Sequence, residues 1–379
     1  MNFNLTEEHL MIRDAAKDFA KSELLPGVIE RDELQSFPEQ QIKKLGELGF
    51  MGMMVDQKYG GAGMDTISYV LAMEEISKID ASCSVAMSVN NSLVCWGIET
   101  FGTEFQKEKY LKPLAKGEML GAFCLSEPEA GSDATSQKTT AVDCGDHYIL
   151  NGTKNWITNG NSASIYLVIA QTDVEKKHKG INAFIVEKGM KGFEVGKKEN
   201  KLGIRGSDTH SVMFTDVKVP KKNRIGDNGF GFTFAMKTLS GGRIGIAAQA
   251  LGIASGAYEL SLKYSKERKA FGKEISNHQA IAFKLADMIT EINAARLLCL
   301  KAAWLKDNNQ NYDSASAMAK VYSSETAMKT TTEAVQIHGG YGFVKEYHVE
   351  RLMRDAKITQ IYEGTSEIQR IVISRSILK

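Results

Sequence analysis

The most restrictive feature of this 379-residue chain is the distribution of its prolines. All five lie in the first 220 residues, and residues 221–379 contain none. Because proline removes a backbone donor and clashes with the preceding turn, so long a proline-free tract permits long uninterrupted helices. Apolar side chains recur every three or four positions in residues 281–305 and 312–338, which is the helical period. The last part of the chain is therefore predicted to be a bundle of long helices.

The first part of the chain is also predicted to be helical, and the middle part to be strand-rich. Helical spacing and helix breakers predict helices at 5–24, 38–49, 66–79, 84–100 and 104–115, with a glycine-rich loop at 58–65. β-branched and alternating runs predict strands at 164–172, 182–187 and 210–220. Asn151-Gly152, between two β-prone runs, predicts a tight hairpin turn.

The order helical, β, helical lacks a sustained βαβ alternation, which excludes a doubly wound sheet. The sequence therefore predicts an α+β fold that is mainly α. Its predicted domains are residues 1–119 (helical), 120–225 (β) and 226–379 (a helical bundle).

Composition and motifs exclude several classes of protein. Lys and Arg number 47 and Asp and Glu 46, and this balance argues against a dedicated nucleic-acid binder. No apolar run approaches ~20 residues, so no membrane span is expected, and MNFNLTEEHL lacks the regions of a secretory signal. Five cysteines without CxxC spacing predict a reducing cytoplasm and no disulfide framework. The seven scattered histidines predict no metal site, and the absence of GxGxxG and GxxxxGK[ST] leaves nicotinamide and nucleoside triphosphate binding without support.

One acid directly follows an apolar and an aromatic residue in the stretch ITQIYEGTSEIQRIVI, residues 358–373. Glu363 follows Ile361 and Tyr362 and precedes Gly364, and the spacing of Ser366 and Gln369 predicts a capping box that opens a final helix. Glu363 either stabilises the dipole of that helix, worth roughly 0.3–1 kcal/mol, or serves as a general base whose pKa is raised by desolvation. Local spacing alone favours the dipole role.

This stretch resembles the motif around the catalytic glutamate of the acyl-CoA dehydrogenases. Further segments resemble that family in the same order along essentially the whole chain: LSEPEAGSD (125–133), NWITNG (155–160), TLSGGRIGIA (238–247), ERKAFG (267–272), QIHGGYGF (336–343) and RDAKITQIYEGTSEIQ (354–369). The short-chain, butyryl-CoA branch of the family is the most similar.

The resemblance implies a fold, a reaction and partners. The fold is an N-terminal α-helical domain, a middle β-barrel or sandwich and a C-terminal four-helix bundle. The implied reaction is FAD-dependent conversion of a short-chain acyl-CoA to the trans-2-enoyl-CoA, in which Glu363 removes the α-proton and flavin N5 takes the β-hydride. The implied assembly is a homotetramer, a dimer of dimers, and the implied electron acceptor is electron-transferring flavoprotein.

The resemblance also assigns FAD contacts. Ser126 would bond the flavin ring, Ser132 a phosphate and the CoA, and Trp156 and Thr158 would lie beside the ring. The contacts within one subunit are Phe123, Leu125, Ser126, Gly131, Ser132, Trp156, Ile157, Thr158, Thr365 and Glu367. Those to the FAD of a neighbouring subunit are Arg268, Phe271, Gln279, Gln336, Ile337, Gly339 and Gly340. Without the resemblance, these segments read as a polar turn, a core tryptophan and a solvated charge.

The substrate contacts implied are Ser132, Ser240, Arg243, Tyr362 and Gly364. Ser240 stands where many relatives carry an aspartate that helps to hold the CoA. Gly242 stands where the isovaleryl type of relative places its catalytic glutamate, and a glycine cannot serve as a base, which favours Glu363.

Three other readings remain open from the sequence. The first is a flavin acyl-CoA oxidase on the same fold, and the second is a DNA-associated relative with little turnover. The third is a non-enzymatic helical scaffold. The acyl chain length, the electron acceptor and the direction of flux are not determined by the sequence.

Overall fold

The computed structural model describes residues 4–378; residues 1–3 of the predicted first domain and residue 379 of the last lie outside them. The first part is helical, as predicted from the spacing of apolar residues. Its helices are α1 (Glu7–Phe19), α2 (Val28–Glu33), α3 (Glu39–Glu47), α4 (Thr66–Ser77), α5 (Ala81–Ser88), α6 (Trp96–Phe101), α7 (Glu104–Gln106) and α8 (Lys112–Ala115). π-helical turns at Ala20–Leu24, Val89–Cys95 and Lys107–Leu111 extend or join them, and 3₁₀ turns lie at Phe50–Gly52 and Gln57–Tyr59.

The middle part forms one mixed sheet. Its strands are β1 (Gly121–Cys124), β2 (Thr140–Asp143), β3 (His147–Thr158), β4 (Ile165–Gln171), β5 (Ile181–Glu187), β6 (Phe193–Lys198), β7 (Thr209–Pro220) and β8 (Arg224–Ile225). Within residues 4–378 the strand order is β6-β7-β3-β2-β4-β5-β8, and β1 pairs with β4 in parallel. Every residue of β4 is buried, and so is every residue of β5 except Glu187. The predicted strands at 164–172, 182–187 and 210–220 are confirmed.

The predicted hairpin turn at Asn151-Gly152 is wrong. Both residues lie inside β3, which continues to Thr158 and pairs with β7 through a register shift between Leu150 and Gly152. Gly152 has φ +147°, and a Cβ there would crowd the side chain of Thr139. Asn151 donates from Nδ2 to Asp216 Oδ1 (3.0 Å) across the pair. Asn151 alone stands opposite Thr215 and Asp216, so this β-bulge has its extra residue on β7, where Asp216 has φ +52°.

The last part is a bundle of long helices, as predicted from its lack of proline. Its helices are α9 (Gly231–Glu267), α10 (Gln279–Asp307), α11 (Asp313–His338), α12 (His348–Thr359) and α13 (Ser366–Ile377). Two short strands, β9 (Lys269–Ala270) and β10 (Lys273–Glu274), join α9 to α10, and 3₁₀ turns lie at Ile275–Asn277 and Gly339–Phe343. α9 packs against α10, α11 and α12, and also against α4 and the strands β4 and β5. Among residues 4–378, no helix is both long and apolar enough to cross a membrane.

α9 thus lies at the centre of the molecule, and glycine allows its closest approach to α4. A Cβ on Gly252 would overlap the carbonyl oxygen of Glu74, and one on Gly256 would lie 2.5 Å from that of Lys78. Charged contacts fix α12 to the other parts: Arg354 donates to Asp32 Oδ2 (2.7 Å), and Asp355 accepts from the backbone N–H of Ile204. The turn that follows α12 is therefore held by all three parts of the chain.

Candidate active site

Glu363 lies on the turn between α12 and α13. It has φ +51° and Gly364 has φ +93°, so two consecutive residues take the left-handed conformation that glycine tolerates and glutamate rarely adopts. The predicted capping residue, Ser366, is one position C-terminal to the residue that caps α13. Thr365, not Ser366, caps α13, and its hydroxyl accepts from the N–H of Ile368 (3.3 Å), while Ser366 donates to Glu325 (2.8 Å).

The carboxyl group of Glu363 points into the protein against α9. Its Oε2 is buried and has no hydrogen-bond partner among the described residues. A Cβ built on Gly242 would overlap Oε2 and would lie 2.7 Å from Leu93 Cδ2. Gly242 therefore leaves the space that the carboxyl group fills, and the predicted relation between positions 242 and 363 has a direct steric basis.

Burial dominates the electrostatics of this carboxyl group. Desolvation raises the pKa of Glu363 from 4.5 to about 7, against the opposing pull of Lys320 and Arg243. Such a pKa near neutrality suits a general base, whereas an acid that only stabilised a helix dipole would remain solvated. An unpaired, desolvated carboxylate is costly to keep in a folded protein, and such groups cluster at functional sites.

Three of the predicted substrate residues surround or adjoin Glu363. Arg243 follows Gly242 on α9 and is buried, and its charge acts on Glu363. Tyr362 donates its hydroxyl to Gln249 Oε1, and burial raises its pKa well above the usual range. The carbonyl of Gly364 accepts from Lys320 Nζ (2.7 Å).

Two predicted substrate residues stand apart from that group. Ser240 is buried on α9 and its hydroxyl donates to the carbonyl of Met236 (3.2 Å), within its own helix. Ser132 is exposed on the loop after β1.

Sequence reasoning missed Lys320. It is completely buried on α11, and desolvation lowers its pKa to about 8. A signal was present: Lys320 lies four residues from Ser316 and Ser324 and seven from Ala327, on the helix face that the small residues mark as buried.

The first predicted FAD group is brought together at the ends of β1 and β3. Leu125 and Ser126 follow β1 directly, and the carbonyl of Ser126 accepts from the N–H of Asn155 (2.9 Å), next to Trp156. Trp156 has φ +63° at a register shift of β3 and is 61% exposed, so it is not the core tryptophan that a strand position suggests. A flat, exposed indole beside a hydroxyl-bearing loop suits stacking against an aromatic ligand.

The other members of this group differ in exposure and in their position along the chain. Phe123 is on β1 and half-buried, and Gly131 and Ser132 are exposed on the loop. Ile157 is buried, so it offers a ligand its backbone only, and Thr158 is half-buried. Thr365 and Glu367 follow Glu363 at the start of α13.

A buried ion pair holds the loop that carries Ser126 and Ser132. Lys154 Nζ donates to Glu127 Oε1 (2.7 Å) and to the carbonyl of Leu125 (3.0 Å), and neither side chain of the pair is accessible to more than a trace of solvent. Burial opposes the charge of Glu127, but Lys154 keeps the pKa of its carboxyl group below the usual value.

The second predicted FAD group surrounds a separate surface cleft of about 550 Å³. Its lining includes four predicted residues, Arg268, Ile337, Gly339 and Gly340, and five that were not predicted, Tyr264, Ile275, His338, Tyr341 and Val344. The guanidinium of Arg268 lies 5.6 Å from the ring centroid of Tyr341. Phe271, Gln279 and Gln336 are exposed and do not line this cleft, and Phe271 is 97% exposed with φ +50°.

His338 contributes to the packing around this cleft. Its ring stacks on Tyr264 with centroids 4.3 Å apart, and Nδ1 donates to the carbonyl of Ala334 (2.8 Å). Desolvation lowers its pKa, which favours the neutral ring.

The residues present fit FAD. An exposed tryptophan and the Ser126 hydroxyl suit a flavin ring, Arg268 suits a pyrophosphate, and Gly339 and Gly340 have open space where a Cβ would stand. Within residues 4–378, Oε2 of Glu363 is a buried polar atom without a hydrogen-bond partner.

Comparison with known proteins gives the same assignment. Three family models match: the acyl-CoA dehydrogenase N-terminal domain over residues 6–118, the middle domain over 122–217 and the C-terminal domain over 229–378. The chain is 52% identical over its full length, and over the full length of the relative, to the short-chain specific acyl-CoA dehydrogenase of Clostridium acetobutylicum. It is 47% identical to the caffeyl-CoA reductase-Etf complex subunit CarC of Acetobacterium woodii, over 99% of each chain.

A solved structure agrees over the whole fold. The three-dimensional structure of butyryl-CoA dehydrogenase from Megasphaera elsdenii superposes with a TM-score of 0.99 at 50% identity and covers 100% of both chains. The family consists of FAD-binding flavoproteins, so the predicted cofactor is confirmed. The chain belongs to the acyl-CoA dehydrogenase family, whose members oxidise acyl-CoA thioesters with bound FAD.

Proposed function

We propose that this enzyme dehydrogenates a short-chain acyl-CoA to the trans-2-enoyl-CoA, with Glu363 as the base that removes the α-proton. The observation that supports this role is the buried, unpaired Oε2 of Glu363 in the space left by Gly242. The short acyl chain is inferred from relatives named short-chain specific and butyryl-CoA dehydrogenase.

In this mechanism the chain holds the reacting groups and moves one proton. The ionised Oε2 of Glu363 accepts the α-proton, and the surrounding buried side chains exclude water from the carboxyl group. The backbone N–H of Glu363 donates to the thioester oxygen, where negative charge develops as the proton leaves. Bound FAD supplies the acceptor for the hydride from the β carbon. Arg243, Tyr362 and Gly364 contact the thioester end of the substrate, and Ser132 and Ser240 the CoA.

The FAD contacts proposed are those predicted from the sequence. Ser126, Trp156 and Thr158 hold the flavin ring, supported by the adjacency of Ser126 and Asn155. Arg268, Gly339 and Gly340 reach the FAD of a neighbouring subunit in a homotetramer built as a dimer of dimers, supported by their open cleft and by the exposure of Phe271.

Replacement of the base tests the role of Glu363. The Glu363→Gln variant keeps the shape of the side chain, so we expect it to purify yellow and to bind butyryl-CoA. Anaerobic mixing with butyryl-CoA should leave its flavin oxidised, whereas the wild type and the exposed-site control Glu346→Gln should bleach. Bleaching of Glu363→Gln at the wild-type rate would show that another group removes the proton.

Anaerobic titration with straight and branched acyl-CoAs of increasing length tests the substrate. We expect the fastest bleaching with butyryl-CoA, and a maximum at eight carbons or more would contradict the short-chain assignment.

Electron-transferring flavoprotein is the proposed acceptor, because a relative at 47% identity is named as a subunit of a reductase-Etf complex. The oxidase alternative predicts hydrogen peroxide from reduced enzyme in air at the rate of turnover. A dehydrogenase should instead pass its electrons to added electron-transferring flavoprotein and release little peroxide. The five cysteines are free, which supports a reducing cytoplasm as the proposed location.

A further inference from the structure

Three hydrogen bonds converge on the two carbonyl groups at the turn that carries Glu363. Lys320 Nζ, from α11, donates to the carbonyl of Gly364 (2.7 Å). The amide of Gln369, from α13, donates to the same carbonyl (2.8 Å) and to that of Glu363 (3.2 Å). Lys320 and Gln369 are both completely buried. They clamp a short segment of backbone from two different helices.

The segment needs such a clamp because its backbone is strained. Glu363 holds φ +51°, a conformation that costs free energy for any residue with a Cβ and persists only when its surroundings impose it. Release of the carbonyls would let the turn relax, and both the carboxyl group and the N–H of Glu363 would move. A shift of about 1 Å at a reacting group is enough to slow a reaction by on the order of a hundredfold.

Lys320 also supplies charge. It is the foremost cation acting on Glu363, ahead of Arg243 from α9. The other groups facing Glu363 are the neutral phenols of Tyr69 on α4 and Tyr362. Lys320 itself is faced by Glu363, Arg243, Glu325 and Glu367.

We propose that Lys320 is a positioning residue for the base: with Gln369 it clamps the Glu363–Gly364 carbonyls, and its ammonium favours the ionised form of Glu363, which is the form that takes the proton. This inference rests on the proposed function of Glu363. The ammonium makes no contact with the reacting atoms in this scheme. It acts through the carbonyl that it binds and through its charge.

The test separates charge from hydrogen bonding. Lys320→Gln removes the charge and keeps a donor, whereas Lys320→Met removes both. The measurement is the anaerobic rate of flavin reduction by butyryl-CoA from pH 5.5 to 9.5. Because loss of a nearby cation raises the pKa of a carboxyl group, both variants should move the midpoint of the rate profile up by about one pH unit. At pH 6 the rate should fall about tenfold, and at pH 9 Lys320→Gln should approach the wild type. Lys320→Met should stay slower even at pH 9.

A lysine on the same helix serves as a matched control. Lys329 is exposed on α11 and pairs with Glu291, so Lys329→Gln removes one charge without touching the clamp. Its midpoint should equal that of the wild type. Gln369→Leu removes the neutral half of the clamp, and we expect its rate to fall about tenfold with an unshifted midpoint. A purely structural role for Lys320 would change FAD content or stability and leave the midpoint in place.

The charge effect, the clamp and the proposed function of Glu363 are each contradicted by a different result. A Lys320→Gln enzyme with the wild-type midpoint would overturn the proposal. If the Lys320 variants do not retain FAD, a Gln369→Leu enzyme with the wild-type rate would overturn the clamp. Failure of the proposed function gives another result, since Glu363→Gln would then bleach normally whatever the Lys320 variants do.

Discussion

The carboxyl group of Glu363 occupies space that is free because Gly242 has no side chain. In Gly242→Ala the new Cβ would overlap Oε2, and the flexible end of Glu363 would swing away while the helix stays intact. We expect a folded, yellow enzyme whose rate of flavin reduction by butyryl-CoA falls at least tenfold. Gly241→Ala is the matched control, because its Cβ meets nothing closer than 3.9 Å. It should gain about 0.5–1 kcal/mol from helix propensity. Equal rates for the two variants would contradict this steric account.

The same residue makes stability depend on pH. Burial raises the pKa of Glu363 from 4.5 to about 7, so its neutral form is favoured in the folded protein. The associated stability is complete below about pH 4.5 and is lost as pH rises through about 7. That rise in pKa corresponds to about 3 kcal/mol at pH 8. Glu363→Gln, which is always neutral, should therefore melt at a higher temperature than the wild type at pH 8, and the two melting temperatures should converge toward pH 5. If Glu363→Gln exceeded the wild-type melting temperature by the same margin at pH 5 as at pH 8, ionisation of Glu363 would not be the cause of the difference.

Among the elements, the loop after β1 depends on its buried ion pair. Lys154→Met leaves the carboxylate of Glu127 buried without its partner, a change that typically costs about 3–5 kcal/mol. We expect weaker FAD retention, measured as absorbance per chain after dialysis, and a lower melting temperature. Lys138→Met, which breaks only an exposed pair with Glu129 on the same loop, should leave FAD retention and the melting temperature nearly unchanged.

A double variant tests whether the unpaired charge of Glu127 causes the loss of stability in Lys154→Met. Removing both charges with Lys154→Met and Glu127→Leu should restore part of the lost stability, because no buried charge then remains unpaired. A double variant less stable than Lys154→Met would show that the contacts, and not the unpaired charge, matter most.

The elements show what the sequence predicts and what it does not. The long helices and the strands β4, β5 and β7 follow from the apolar period, from β-branched runs and from the lack of proline, which can be read along the chain. Asn151-Gly152 is typical of a hairpin turn, but the chain continues as β3, because pairing with β7 takes up the irregularity as a β-bulge whose extra residue lies on β7. The cap at Thr365 was missed by one residue because both candidates carry a hydroxyl. Lys320 was missed because its burial and its bond to Gly364 arise from the packing of α11 against the final turn.

At the scale of the whole molecule, the proposal that neighbouring subunits share FAD predicts how two variants complement each other. Trp156→Ser and Arg268→Gln should each lower activity when expressed alone. In a mixed dimer one site would receive an intact Trp156 from one subunit and an intact Arg268 from the other, and its partner site would carry both defects. Co-expression should therefore restore activity to up to half of the wild-type level, measured per bound FAD. No recovery in verified mixed oligomers would show that both residues serve the FAD of their own subunit.

The overlap between a side chain at position 242 and the carboxyl group of Glu363 also bears on how such enzymes diverge. A lineage that moved its acid from the final turn to α9 by single substitutions would pass either through a chain with no acid at all or through one that crowds two acids into space for one. With Glu363 proposed as the base, the first chain would have no base, and in the second the side chain at position 242 would displace the carboxyl group of Glu363. An active enzyme with its acid on α9 would therefore be reached from this chain by changing both codons together.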